Sequence, residues 1–201
     1  MKSSHVTIQN LSVINGNRYG IFIHGPERIE SKAGISYTYD NASKWVDVVN
    51  VEAVGNRSTA IYINSLVGSV RNCKVYGNGK ENGKWDQGGI GCYLCRDVVF
   101  EGNEVYDNGP KSGDADFEIS TVPLKGSVTI LRNFVHDCRQ GCIQVGGDDP
   151  NQNMGDNSLI AYNIVSGFGT ASDLPAGRCG IRFGGPYQNG PKGVGVYNNI
   201  I

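Results

Sequence analysis

The sequence predicts an all-β fold, a single-stranded right-handed parallel β-helix of about seven coils, and three observations carry this prediction. Segments with apolar residues at alternate positions recur along the chain at intervals of 22 to 40 residues. An asparagine recurs at one position of these segments, and glycine, at 29 of 201 residues, exceeds its ordinary share of about 7%. No segment has the 3.6-residue period of an amphipathic helix, which excludes the helical solenoids.

The first set of repeated segments contains the asparagine position. Alignment places the following residues there: Leu11, Val51, Cys73, Asn103, Asn133, Asn163 and Asn199. Three residues earlier the aligned residues are Ile8, Val48, Val70, Phe100, Ile130, Ile160 and Val196, and two residues later they are Val13, Ala53, Val75, Val105, Val135, Val165 and Ile201. We expect these rows to face the interior of stacked coils. Inward asparagines can bond to their own backbone and to the asparagines above and below, which satisfies groups otherwise buried unpaired.

A second set of short strands lies between the first: residues 20–23, 60–63, 89–92, 116–119, 142–145 and 180–183. Alternation directs the second and fourth residue of each strand inward, which places Phe117 and Ile119 in the core of the fourth coil. The outward row then reads Phe22, Tyr62, Gly91, Glu118, Gln144 and Arg182. Because the loops lengthen on both sides of this strand, we expect the outward row to form the bottom of a groove.

The composition of the chain argues against some classes of binding partner. The formal net charge of −1 argues against nucleic acid and anionic membranes, which favour basic surfaces. No apolar run is long enough to cross a bilayer, and the opening stretch MKSSHVTIQN lacks the apolar region of a signal peptide. We expect a single domain, 1–201, that could be a segment of a longer chain, because VYNNII ends within an apparent strand.

Carboxylates in the stretch GDADFEIS are the leading catalytic candidates. Asp116 and Glu118 are both expected to face outward, and two crowded carboxylates tend to separate their pKa values into one acid and one base. Hydrolysis of a glycosidic bond needs one carboxyl group that acts as an acid and one that acts as a base. Asp149, or Asp148 beside it, follows the next strand and could supply a carboxylate across the groove. The alternatives are a solvated surface, a turn before Pro150, and a calcium site, although no spacing requires calcium.

Five further residues are candidates for substrate binding. Gln144 and Arg182 lie together in the outward row, where guanidinium can bind a sugar or a carboxylate. Arg139 could position the sugar from the neighbouring turn. Trp85 and Tyr187 lie in opposite loops and could offer aromatic faces to the apolar faces of sugar rings. The alternatives are that both rings pack under their own loops and that each cation is an ordinary surface charge.

The cysteines leave a disulfide pattern open. Cys142 and Cys179 lie one residue off register on neighbouring predicted coils and could form a bridge in a secreted protein. Cys138 is a competing partner. Cys73 and Cys92 belong to inward rows, where a cysteine acts as a small apolar residue.

The coil pattern resembles the pectate-lyase-like superfamily of right-handed β-helices across nearly the whole chain. This resemblance implies a carbohydrate-active enzyme in an extracellular or periplasmic location. The polygalacturonase-type hydrolases of that superfamily carry NTDG, DD, GHG and RIK motifs on successive coils, and GDADFEIS resembles the first, with Asp116 matching its aspartate. Arg139 and Gln140 replace the aspartate pair, and Cys179 stands in place of the histidine. We therefore expect the same groove without the standard polygalacturonase site.

Three functions follow from these patterns. The favoured one is hydrolysis of a polysaccharide or oligosaccharide, with no cofactor required and calcium as an option. The second is a polysaccharide lyase in which a cation such as Arg139, Lys125 or Arg178 abstracts the proton beside a uronate carboxyl group. The third is a glycan-binding or structural β-helix without catalysis.

Overall fold

The computed structural model describes residues 5–24, 27–31, 34–38, 45–64, 67–80, 88–110, 117–123, 126–146, 155–169, 179–184 and 192–201. These ranges contain nineteen β-strands and no helix, so no helix among them is long and apolar enough to cross a membrane. In chain order the strands are β1 (Val6–Ile14), β2 (Ile21–Ile23), β3 (Glu27–Ser31), β4 (Gly34–Thr38), β5 (Trp45–Val54), β6 (Ile61–Ile63), β7 (Val67–Arg71), β8 (Lys74–Tyr76), β9 (Ile90–Tyr93), β10 (Asp97–Glu101), β11 (Glu104–Tyr106), β12 (Ile119–Val122), β13 (Val128–Leu131), β14 (Phe134–His136), β15 (Ile143–Val145), β16 (Leu159–Ala161), β17 (Ile164–Ser166), β18 (Ile181–Phe183) and β19 (Gly195–Tyr197).

Two parallel sheets run along the stack of coils. Sheet A has eleven strands in the order β17-β14-β11-β8-β5-β7-β10-β13-β16-β19, with β1 beside β5, and sheet B has six in the order β18-β15-β12-β9-β6-β2. The long strand β5 pairs with both β7 and β8, so two sides of the solenoid meet at β5 and sheet B forms the third. In later coils the chain bends between these two sides at a residue with positive φ, such as Asn72 or Gly102. Strands β3 and β4 form a separate antiparallel pair.

The register of sheet A confirms the predicted inward rows. Ile8 lies opposite Val48, and the row continues through Val70, Phe100, Ile130, Ile160 and Val196. Most of these side chains are fully buried in one core cluster that runs along the solenoid axis. Apolar burial of this kind is worth about 25 cal/mol per Å² of apolar surface removed from water, so each coil is stabilised mainly by its neighbours.

The predicted asparagine ladder is also present. Asn103 donates from Nδ2 to Oδ1 of Asn133, Asn133 donates to Asn163, and Asn163 donates to Asn199, each at 2.9–3.0 Å. Each backbone N–H of Asn103, Asn133 and Asn163 also donates to the amide oxygen one coil further on. The ladder therefore supplies partners to backbone groups at a buried bend, where unpaired groups would be costly.

The disulfides differ from one of the predicted pairings. Cys142 is joined to Cys138, the competing partner, with the two Cα atoms 5.3 Å apart, and Cys179 belongs to neither of the disulfides Cys92–Cys95 and Cys138–Cys142. The predicted Cys142–Cys179 bridge is therefore wrong in this structure. Cys92 belongs to the core as expected, and it is bonded to Cys95.

Candidate functional site

The outward side of sheet B is the candidate site, and its register defines a row that we call the sheet B face. The sheet B face consists of Phe22, Tyr62, Gly91, Ser120, Gln144 and Arg182. Five of these six residues were predicted from the repeat. The sixth is Ser120, which replaces Glu118.

The fourth coil is shifted by two residues from the predicted alignment. Ile119 lies opposite Ile90 and Ile143, so Thr121 takes the second inward position. Thr121 is fully buried, and its hydroxyl donates to the backbone oxygen of Gln144 at 2.9 Å. A shift of two residues preserves strand alternation, so the apolar pattern alone could not distinguish the two alignments.

Phe117 is buried as predicted, but Ile119 takes the position in the inward row that was predicted for it. The Phe117 side chain is only 2% exposed, but it is absent from the central cluster. It packs over Gly141 of the next coil, where an added Cβ would collide with the ring. The guanidinium of Arg182, two coils away, lies 5.9 Å from the centre of the same ring. Phe117 is therefore a buried ring that precedes the inward Ile119 by two residues.

A second ladder of amides lies at the corner that leads into sheet B. Asn56 donates from Nδ2 to Asn78, and Asn78 donates to Asn108, both at 2.8 Å. Sequence analysis missed this row, although its members follow the first row by five residues at Val51, Cys73 and Asn103. In the next coil the equivalent position is Cys138, which has no amide oxygen to accept these hydrogen bonds and is joined to Cys142. The ladder therefore needs a different final acceptor.

Glu118 is that final acceptor. Its Oε1 accepts from the backbone N–H of Asn108 at 3.0 Å, and its Oε2 accepts from Asn108 Nδ2 at 2.5 Å. The side chain is 2% exposed and fills an interior corner that Ala60, Gly89 and Cys142 occupy in other coils. The predicted outward position of Glu118 is wrong. The carboxyl group is a buried structural element and does not reach the sheet B face.

Burial dominates the protonation of Glu118. Removal from water raises its pKa from 4.5 to about 8, because the hydrogen bonds from Asn108 and the attraction of Arg139 offset only part of the desolvation. The negative charge of Asp107 acts in the same direction as burial. At neutral pH the buried group is therefore mainly a neutral carboxylic acid.

Arg139 lies beside this corner and away from the sheet B face. Its guanidinium donates from Nη2 to Oδ1 of Asp107, which also binds Lys80 Nζ at 3.0 Å. Burial would raise the pKa of Asp107, but the hydrogen bonds from Lys80 and Arg139 together hold it below the ordinary value. Arg139 is thus held as an ion-pair partner, which does not suit a proton-abstracting base.

Aromatic rings occupy the first end of the sheet B face. Tyr19, Phe22 and Tyr62, which we call the aromatic platform, stack with ring centroids 4.8 to 5.8 Å apart. Phe22 is 46% exposed, and the Tyr62 ring extends over Gly91, where a Cβ would lie 2.8 Å from the ring. Tyr19 was missed from sequence because it precedes its strand, although it lies only three residues before Phe22.

Polar groups occupy the other end of the same face. Gln144 and Arg182 lie side by side in register, as predicted. Gln144 is 8% exposed, and its Nε2 donates to the backbone oxygen of Gly146 at 3.1 Å. Burial raises the pKa of the nearby Cys179 thiol, and the positive charge of Arg182 partly opposes this effect. A flat aromatic surface therefore continues into amide and guanidinium groups along one row.

The remaining predicted residues lie outside the described ranges: Asp116, Asp148, Asp149, Trp85, Tyr187, Lys125 and Arg178. Their roles stay predictions. The calcium hypothesis depends on three of them, since both oxygens of Glu118 are engaged by Asn108. Among the residues that the structure describes, no group of three or more His, Cys, Asp or Glu side chains could hold a metal ion.

Comparison with known proteins identifies the family. A family model described as "Right handed beta helix region" matches residues 1–200. Comparison with curated proteins and with solved structures gives no match. The family match agrees with the parallel sheets, the axial core and the amide ladders. The chain therefore belongs to the right-handed β-helix family.

Proposed function

We propose that this protein is a carbohydrate-active β-helix that binds an extended polysaccharide along the sheet B face. The observation that carries the proposal is the aromatic platform at one end of a row that ends in Gln144 and Arg182. Sugar rings combine apolar C–H faces with hydroxyl groups, so they can pack on exposed rings and bond to amide and guanidinium groups. Adjacent coils are ~4.8 Å apart, so six rows span roughly 24 Å and could bind several sugar units.

The proposal includes cleavage of the bound chain, with hydrolysis favoured. Glycosidic hydrolysis uses two carboxyl groups, and Asp116 and Asp149 are the candidates. Asp116 directly precedes Phe117 in sequence, and Asp149 follows Gly146 by three residues, so each is close in sequence to a strand of sheet B. Glu118 is not included, because its carboxyl group is buried against Asn108.

A glycan-binding protein without catalysis is the second candidate. One observation favours it: among the described residues, the sheet B face carries no carboxylate, because Ser120 stands where Glu118 was predicted. Either candidate fits an extracellular or periplasmic location. The two disulfides, Cys92–Cys95 and Cys138–Cys142, support an oxidising compartment.

The test is a panel of plant, algal and host polysaccharides, incubated with the protein in calcium and in chelator. Binding would be followed by affinity electrophoresis, and cleavage by reducing ends together with ultraviolet absorbance from unsaturated uronates. Reducing ends without absorbance are expected, and they should be lost in Asp116→Asn or Asp149→Asn. Absorbance would indicate elimination, and retardation without products would indicate the binding protein.

Matched variants connect the assay to the sheet B face. Phe22→Ala removes a ring of the aromatic platform, and Phe134→Ala removes a ring of similar exposure, 41% against 46%, from sheet A. Only the first should weaken retardation. If no polysaccharide is bound, or if both variants behave alike, the proposed function is wrong.

A further inference from the structure

A second concave surface lies on sheet A, around the exposed Trp45. It has a volume of about 280 Å³ and lies over neighbouring strands β5, β7, β10 and β13. Its residues belong to sheet A and so to a different side of the solenoid from the sheet B face. We call this surface the Trp45 trough, and the residues that line it include Trp45, Asp47, Ser69, Arg71, Asp97 and Thr129.

Strand register explains why this surface is concave. Trp45 lies opposite Val67, which lies opposite Asp97, and in the next row Ser69 lies opposite Val99. Small side chains therefore form the bottom, and the large indole rises at one end. Trp45 is 45% exposed, so part of its ring is open to a ligand on this surface.

The indole is held in place by hydrogen bonds. Trp45 Nε1 donates to Oδ2 of Asp47 at 2.9 Å, and the hydroxyl of Ser69 donates to the other oxygen. His5 binds the same carboxylate at 3.0 Å, and its ring lies 5.6 Å from the indole. Burial would raise the pKa of Asp47, but these hydrogen bonds together lower it below the ordinary value. A rigid aromatic wall reduces the entropy lost when a ligand binds.

Polar groups complete the other sides. Asp97 has an exposed carboxylate whose Oδ1 accepts from the backbone N–H of Ser127 at 3.1 Å and whose Oδ2 lies 4.0 Å from Nε of Arg96. Arg71 binds Glu101 through Nε at 3.4 Å, which leaves its terminal nitrogens as donors. Thr129 adds a hydroxyl from the outward row of β13. Donors and acceptors thus surround an apolar bottom beside an aromatic wall.

We propose that the Trp45 trough is a second saccharide-binding site that takes one neutral pyranose unit. A pyranose presents an apolar face to an indole and hydroxyl groups that both donate and accept, which matches the mixed polar lining. The positive charge of Arg71 would repel a cationic ligand, and the carboxylates of Asp97 and Asp47 would repel a uronate. The trough therefore favours neutral sugars, whereas Arg182 on the sheet B face can accept acidic ones.

The test follows the indole N–H signal of Trp45 in ¹⁵N-HSQC spectra of the whole protein. The sequence has two tryptophans, and Trp45→Phe assigns the signal by its absence. The probes are methyl β-D-glucopyranoside, methyl α-D-galactopyranoside, methyl α-D-mannopyranoside and D-galacturonate. At least one neutral pyranoside should shift the signal saturably, and galacturonate should bind more weakly than that pyranoside.

Two variants decide where the probe binds. Thr129→Val removes one hydroxyl with little change of shape. It should weaken the binding of the pyranoside by a factor of at least about five, as expected for the loss of one hydrogen bond. Phe22→Ala should leave the same titration unchanged, because the aromatic platform belongs to the other site. The proposal is overturned if no probe shifts the signal, if galacturonate binds most tightly, or if Thr129→Val has no effect. Loss of binding in Phe22→Ala would also overturn it and would assign the sugar to the sheet B face.

Discussion

Replacing Glu118 by glutamine is the sharpest test of the buried position of this side chain in the fourth coil. In the folded protein the carboxyl group is buried and accepts two hydrogen bonds from Asn108, and the charges of Asp107 and Arg139 act on its pKa in opposite directions. Glutamine has nearly the same shape but cannot ionise. One of its amide positions is a donor, so it cannot accept both hydrogen bonds from Asn108.

The magnitude follows from the raised pKa. Folding raises the pKa of Glu118 from 4.5 to about 8, so the folded state holds this proton more tightly than the unfolded state. The stabilisation is complete below the unfolded pKa and is lost as pH rises through the folded pKa. Each pH unit within that window should remove about 1.4 kcal/mol, or roughly 5 kcal/mol across it.

Two measurements check this effect. The carboxyl ¹³C resonance of Glu118, assigned by its absence in Glu118→Gln, should titrate near pH 8 in the folded protein. Urea unfolding with the disulfides intact should show the wild type losing stability relative to Glu118→Gln as pH rises from 5 to 8. A titration midpoint near 4.5, or a difference between the two proteins that stays constant with pH, would refute the buried position of Glu118.

Three other substitutions test the ladder and the sheet B face. Asn133→Ala should destabilise the fold by about 2–4 kcal/mol, because it removes the side-chain partners of the buried backbone N–H of Asn103 and backbone oxygen of Phe100. An unchanged urea midpoint would contradict the ladder. Phe22→Ala should weaken polysaccharide binding about tenfold and leave the melting temperature unchanged. Titration calorimetry would measure the affinity. An equal loss of affinity in Phe134→Ala would count against the aromatic platform. Gly91→Ala should displace the Tyr62 ring, because the new Cβ would lie 2.8 Å from it, and this displacement should weaken polysaccharide binding. Unchanged affinity with a displaced ring would show that Tyr62 does not contact the polysaccharide.

The sequence was sufficient to predict the solenoid and most of its register. Rows such as Ile8, Val48 and Val70 repeat with the same chemistry, because each inward position has the same environment in every coil. The first asparagine ladder was predictable for the same reason. Repetition is thus the physical basis of prediction here, and it fails where a coil departs from the pattern.

The fourth coil is such a departure. Phe117 and Ile119 alternate as a strand would, but Thr121 takes the second inward position of this coil, and the buried Phe117 packs over Gly141. The reason lies in the neighbouring coil, where Cys138 ends the second ladder and leaves Asn108 to be satisfied by Glu118. No local pattern around residue 118 reveals a partner that depends on the next coil.

The candidate sites were predicted only in part for a similar reason. The repeat identified Gln144 and Arg182 as neighbours on one face, because both occupy regular strand positions. Tyr19 lies in a turn before its strand, and Trp45 begins β5 just before the repeated segment. Neither residue therefore belongs to the repeated pattern from which the inward and outward rows were predicted.

The most direct test of the central claim is to map the bound glycan on the protein. Backbone amide shifts would be recorded by NMR with an oligosaccharide prepared from whichever polysaccharide the panel shows to bind. The account predicts that the largest shifts follow the sheet B face, from Phe22 and Tyr62 through Ser120 to Gln144 and Arg182. Shifts confined to other surfaces, with this row unchanged, would contradict it.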